Sequence, residues 1–190
     1  GGGYHTAYTL TDSELVRSLS DYTVTAKLAI KGSPRSNIGL VGRTSVDLDA
    51  PAKTVRNGFA VSSSDTWDPV GVYTFTGANV RTQIADGSSA WVKMLNSQKV
   101  IVHTYTLAFN GDKMTYSVDN MPEESRQLTA DASQTKGDVG IAVLDRNLDG
   151  QESYMKQSFF AIQQFTVTAN ADDSVLEATP IAGYDPEAQE

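Results

Sequence analysis

The chain alternates apolar and polar residues at period two along much of its length. Ile101, His103, Tyr105, Leu107 and Phe109 fall on one face of an extended segment. Asn110-Gly111 then supplies two residues that tolerate positive φ, as a type I′ turn requires. Met114, Tyr116 and Val118 resume the alternation on the return. This predicts a hairpin in an antiparallel sheet with one face on a core and the other free. Tyr22, Val24, Ala26, Leu28 and Ile30 alternate with Thr23, Thr25 and Lys27, which predicts another strand with one wet face. Gly32-Ser33-Pro34 breaks it.

Further strands are predicted over 37–46, 55–62, 70–75, 80–84, 90–95, 137–144 and 154–168, with a weaker edge strand over 4–10. Gly39 and Gly42 lie inside one of them, where glycine marks a bulge or the close approach of another backbone. Thr11 and Glu14 have capping-box spacing, so a turn or two of helix is expected to run to Leu19. About ten short strands, separated by Gly, Asn, Asp and Pro, argue an all-β sandwich or barrel. No sequence repeat at a fixed period is present, which argues against a propeller or solenoid.

A chain of 190 residues fits one large β domain with its own core. Residues 1–169 read as a single sandwich. From Asn170 the composition turns acidic and small, so 170–190 read as an edge strand at most, then a tail or linker toward a larger chain. Cysteine is absent, which removes disulfides and thiolate metal sites. The net charge of −8 repels phosphate backbones and anionic membranes, so nucleic acid is not an expected partner. No apolar run reaches the ~20 residues that span a bilayer, so membrane insertion is not expected either. Gly1-Gly2-Gly3 reads as a trimmed end, and the absence of a visible signal peptide therefore decides nothing about export.

Several short segments carry a family likeness. They are Tyr22 to Lys27, then Ser36 to Arg43 as a "small polar, Gly, apolar, Arg" strand, then His103 to Asp119 with its Asn-Gly turn. Gly137 to Ile141 matches a "Gly-x-apolar-Gly-apolar" strand, and Phe159 to Val167 a closing strand. In this order they resemble the concanavalin A-like lectin/glucanase superfamily over residues 20–169, and within it the carbohydrate-binding and sugar-hydrolase-associated modules. The resemblance implies a two-sheet antiparallel jelly-roll β-sandwich. That fold hosts lectins, hydrolases, lyases and adhesion modules alike, so function has to be argued from the site.

Glycoside hydrolysis needs two carboxylates facing each other across the scissile bond, ~5–9.5 Å apart. The related glucanases carry them on one strand at i, i+2 or i+4 spacing. Here Asp47-x-Asp49 precedes Pro51 in a turn, and Glu123-Glu124 follows Pro122 in another. Lyases of this fold use an Arg-rich strand, a Gln-x-His strand and a Tyr-x-Lys strand. Arg81-Thr82-Gln83 and Tyr154-Met155-Lys156 echo two of these, and the Gln-x-His element is missing. His103 alternates in phase with Ile101 and Tyr105, so it reads as a packed or surface-facing side chain.

Sugars are held by flat aromatic faces and planar polar groups. Trp67 is the leading candidate, because it sits in a polar loop between Asp65 and Asp68. Trp91 heads a predicted strand and has a core reading beside the binding one. Tyr73, Asn79 and Arg81 could line the same groove. Arg43 lies in a Gly-rich strand, and its charge must face water, a groove or a carboxylate. Asp145, Asn147 and Asp149, with Gly150, have the alternating oxygen ligands that open an EF-hand calcium loop. Lys156 at the twelfth position excludes a true EF-hand. A looser calcium site remains, beside an Asx-rich turn that needs no metal.

The expected function is therefore a non-catalytic carbohydrate-binding module, taking an oligo- or polysaccharide. It would be carried by a larger secreted or cell-surface bacterial enzyme or adhesin. A polysaccharide lyase or glycoside hydrolase on the same fold is the first alternative. A structural or protein-binding adhesin domain is the second.

Overall fold

A computed structural model of the chain describes residues 4–11, 13–31, 36–47, 54–64, 71–76, 81–86, 99–119, 124–127, 135–146, 159–176 and 180–182. Most of the segments expected to be strands are strands, while the expected strand over 90–95 and residues 154–158 of another lie outside the described residues. The strands are β1 (Tyr4–Thr11), β2 (Tyr22–Lys31), β3 (Ser36–Asp47), β4 (Thr54–Ser64), β5 (Gly71–Thr76), β6 (Arg81–Asp86), β7 (Ile101–Asn110) and β8 (Lys113–Val118), followed by β9 (Glu124–Gln127), β10 (Asp138–Arg146), β11 (Phe159–Ala169), β12 (Val175–Leu176) and β13 (Pro180–Ala182). One short helix, α1 (Glu14–Ser18), precedes β2.

A seven-stranded sheet runs β13-β1-β10-β3-β4-β5-β6, and a six-stranded sheet runs β12-β11-β2-β7-β8-β9. Every strand pairing among the described residues is antiparallel. The fold is the expected all-β, two-sheet sandwich. The segment after Asn170, expected to hold one edge strand at most, supplies a short edge strand to each sheet.

Both sheets contribute to the core. Val24, Ala26, Leu28, Ile30, Tyr105, Leu107, Phe109, Met114, Tyr116, Val118 and Val167 come from the six-stranded sheet, and Leu40, Val139 and Ile141 from the other. All are buried, so each large apolar side chain among them contributes ~1.5–3 kcal/mol relative to exposure. The alternation in β7 and β8 is as the sequence implies, with Phe109 opposite Met114, Leu107 opposite Tyr116 and Tyr105 opposite Val118.

Two local expectations need correction. The residues turning between β7 and β8 are Gly111 and Asp112, because Asn110 still pairs with Lys113. Positive φ is needed at Gly111 (59°) and not at Asp112, the pattern of a turn with glycine first. The helix is capped by Ser13 and not by Thr11. The Ser13 hydroxyl accepts from the Val16 N–H at 3.3 Å, while Thr11 is still paired in β1 opposite Pro180.

Gly42 of β3 packs directly against Phe109 and Tyr22 of the other sheet. A Cβ there would lie 2.6 Å from Phe109 Cε2 and 2.9 Å from the Tyr22 hydroxyl. A Cβ on Gly111 would meet nothing within 4 Å, and only its left-handed backbone matters. Gly42→Ala is expected to cost ~1–3 kcal/mol, as overpacking does, with the loss spread over the Tyr22 and Phe109 rings. Gly111→Ala should cost ~1–2 kcal/mol through backbone strain alone. Denaturant melts read the totals. Near-ultraviolet circular dichroism separates the causes, since only Gly42→Ala should disturb the aromatic signal.

Candidate functional site

The sequence singles out Arg43, and the structure shows why its setting is unusual. The β3–β4 register slips between Gly42 and Ser45. Arg43 occupies the slip with φ of 47°, in the left-handed region. A bulge residue in that conformation breaks the in–out alternation. Gly42 and Arg43, though consecutive, therefore both meet the six-stranded sheet.

Arg43 is 2% exposed. Its Nη2 donates to the carbonyl of Ser20 at 2.7 Å and to that of Gly111 at 2.8 Å, and its Nε donates to Ser20 at 3.1 Å. The guanidinium carbon lies 4.5 Å from the centre of the Phe109 ring. Asp21 stands outside this group, 3.6 Å from Nη2, and accepts from the Gly111 N–H at 2.8 Å. The Arg43 N–H donates to the Tyr22 hydroxyl at 2.8 Å. Burial lowers the Arg43 pKa, while Tyr22 and Asp21 oppose that shift. Burial likewise pushes the Tyr22 phenol above its ordinary value, opposed by the Arg43 N–H.

Arg43 was expected to face water, a groove or a carboxylate. It meets main-chain carbonyls first, and the expected carboxylate as well, with Asp21 at 3.6 Å as an outer partner. Its fork of donors joins β3, the α1–β2 connection and the β7–β8 turn. Asn170 closes the same end. Its Nδ2 donates to the Phe109 carbonyl and to Asn110 Oδ1, both at 2.9 Å, and its Oδ1 accepts from Thr23 at 2.8 Å.

The other candidates fall elsewhere. Tyr73 lies in β5 opposite Gln83, and Arg81 begins β6 opposite Phe75. Both therefore belong to the β5–β6 pair, which ends the seven-stranded sheet among the described residues. Tyr73 shares a cross-strand row with Ala60 and Val41, and the next row holds Leu40, Val61 and Val72; Val41 and Leu40 are both buried. Trp67, Asn79 and Trp91 lie outside the described residues. So do Asn147 and Asp149, and the Tyr154-Met155-Lys156 segment. Asp145 lies near the end of β10, opposite His5 of β1 and Ser36 of β3.

One pairing was not legible in the sequence. His103 Nδ1 lies 2.6 Å from Asp119 Oδ2. Asp119 follows β8 with φ of 52°. Its Oδ1 accepts from the Thr104 N–H, and its own N–H donates to the Thr104 carbonyl, each at 2.8 Å. The carboxylate is thus fixed by the backbone before it meets the imidazole. A carboxylate can only accept, so such a partner orients the imidazole through an Nδ1–H. Among the described residues no group of three or more His, Cys, Asp or Glu could hold a metal ion.

No protein-family model matches the chain, and no curated protein matches it in sequence. Solved structures do match. The carbohydrate-binding module CBM66 from Bacillus subtilis superposes with a TM-score of 0.55 at 18% identity, over 78% of this chain and 75% of that one. The chain shares the two-sheet antiparallel β-sandwich fold of that module. Sheep galectin-11 in complex with glycerol (TM-score 0.44, 9% identity, 88% of this chain and 97% of that one) is more distant. So is the alginate lyase from Klebsiella pneumoniae (TM-score 0.39, 10% identity, 80% and 60%). At these identities the likeness is one of fold.

Tyr22→Phe removes the acceptor of the Arg43 N–H and is expected to cost ~1–3 kcal/mol, the penalty of an unpaired buried donor. It should also change the alkaline limb. The folded Tyr22 pKa is raised, so its contribution is whole below the unfolded value of ~10 and is lost as pH climbs beyond it. The stability difference between the parent and Tyr22→Phe should therefore shrink in urea melts taken from pH 9 upward.

Proposed function

We propose that the chain is a non-catalytic carbohydrate-binding module of a larger secreted or cell-surface bacterial protein, either a glycan-active enzyme or an adhesin. The observation that carries this reading is the β5–β6 pair. Tyr73 and Arg81 occupy neighbouring strands, β5 and β6, that end the seven-stranded sheet among the described residues. Asn79 lies in the segment joining those strands. Trp67 lies four residues before β5, and Trp91 five after β6. Aromatic faces would stack on sugar rings, and the Arg81 and Asn79 groups would fix hydroxyls. The fold likeness to a structure named as a carbohydrate-binding module supports the class. No helix among the described residues is long and apolar enough to cross a membrane.

A glycan array probed with the intact chain tests the reading, and a selective hit is the expected result. Trp67→Ala should then weaken that hit by ~30-fold or more, as loss of a hot-spot aromatic does, without lowering Tm. A blank array would overturn the proposal in favour of a protein-binding adhesin domain.

The enzymatic reading has one observation behind it, the fixed His103–Asp119 pair, which is a geometry suited to proton transfer. Release of unsaturated or reducing-end products from a polysaccharide, lost in His103→Gln, would establish it.

We further propose that Asp145, Asn147 and Asp149 hold calcium through hard oxygen ligands. A ligand bound only to the native state stabilises it. Chelator should therefore lower Tm, and calcium should restore it. An unchanged melt would remove the calcium proposal.

A further inference from the structure

The outer face of the six-stranded sheet carries rows of hydroxyl side chains. Its residues alternate with the core residues of β2, β7, β8 and β11, so they point away from the other sheet. Register aligns Thr166 of β11, Thr25 of β2, Thr106 of β7 and Ser117 of β8 in one row across four strands. The next row holds Thr168, Thr23, Ala108, Thr115 and Ser125. On the other side lie Gln164, Lys27 and Thr104.

The two hydroxyl rows contain no charge, in a chain with 23 acidic and 15 basic residues. Thr25, Thr106, Ser117 and Thr166 are half-buried, and their side chains make no hydrogen bond among the described residues. Each hydroxyl is a rotatable donor and acceptor beside main chain whose own bonds are satisfied in the sheet. Neighbouring hydroxyls in a row stand ~4.8 Å apart, the interstrand distance, which is close to the length of one sugar ring. The row also turns by ~20–25° per strand with the twist of the sheet. A single flexible polymer can follow that twist, whereas a flat crystalline surface cannot.

We propose that this face is a second glycan-contact surface, taking a neutral, linear polysaccharide that runs across the strands with about one hydroxyl residue beneath each sugar. The face lies on a different sheet from Tyr73 and Arg81, so the chain would hold its polymer at two places. The inference rests on the carbohydrate-binding reading and extends it to the class of ligand. Charge decides between polymers. Neutral rows in a chain of net charge −8 suit a neutral glycan, and an anionic one would meet Lys27 alone among the three rows.

The test is affinity electrophoresis and titration calorimetry of the intact chain with mixed-linkage β-glucan, glucomannan and polygalacturonate. The variants are Thr25→Val with Thr106→Val, Thr106→Lys, and Trp67→Ala. Valine keeps the β-branched shape and removes only the hydroxyl, and melting curves confirm that each variant folds. The double valine variant is expected to lose ~10-fold or more in affinity for a neutral polymer, as loss of two net hydrogen bonds implies, and Thr106→Lys should lose a similar amount. Short oligosaccharides, bound at the Trp67 site, should be held by both as by the parent.

Three results would overturn the inference. They are unchanged polymer affinity in both sheet variants, preference for polygalacturonate, and failure of the parent to bind any neutral polymer. A polymer affinity that Trp67→Ala abolishes and the sheet variants leave intact would sink the second surface while sparing the carbohydrate-binding reading.

Discussion

The buried guanidinium of Arg43 holds one end of the sandwich together. A charge at 2% exposure is tolerated only when its donors are matched, and here carbonyls of Ser20 and Gly111 match them from two other parts of the chain. The Phe109 ring supplies its negative face at 4.5 Å. Tyr22 packs edge-on against the same ring, with centroids 5.4 Å apart, and its hydroxyl takes the Arg43 N–H. Each of these contacts requires the left-handed turn of Arg43 and the bare Cα of Gly42 beside it. The bulge in β3, the aromatic pair and the β7–β8 turn are therefore one device.

Much of the fold was legible because burial has a period. The faces of β2, β7 and β8 follow directly from the alternation of their side chains. The turn between β7 and β8 shows where that information stops. A turn at 110–111 and one at 111–112 both leave Phe109 and Met114 on the core side. They differ by two in which residue Met114 faces, Leu107 or Phe109. Hydrophobic pattern is blind to a shift of two, because the side-chain period is itself two. Contacts outside the hairpin decide it. Asn110 remains in the strand, where its Oδ1 meets Asn170, and the Gly111 carbonyl meets Arg43.

The candidate site was legible in a different way. Residue chemistry picked out Arg43 and Arg81 alike, since a lone charge in a strand needs an explanation in either case. Only the register separates them. A bulge with a left-handed residue turns Arg43 inward, and no alternation rule anticipates that. Arg81 lies in β6, paired with Tyr73's strand. Asp119 went unnoticed because its role depends on a backbone that folds back onto Thr104 after β8. The hydroxyl rows were written in the sequence as Thr-x-Thr pairs. They read only as the wet face of separate strands until the pairing of β11, β2, β7 and β8 set them side by side.

The strand order also fixes when the sheets can be completed as the chain leaves the ribosome. β2 is made early, yet its two neighbours are β7 and β11, which begin at Ile101 and Phe159. β1 waits still longer, for β10 and then β13 at Pro180. Long-range pairing of this kind slows folding and leaves unpaired strand edges open while synthesis continues. The most apolar of those early strands is β2, which carries the uncharged threonines on its other face. A nascent chain halted before residue 159 would expose one full edge of it, so the last strands act as the cover of the first.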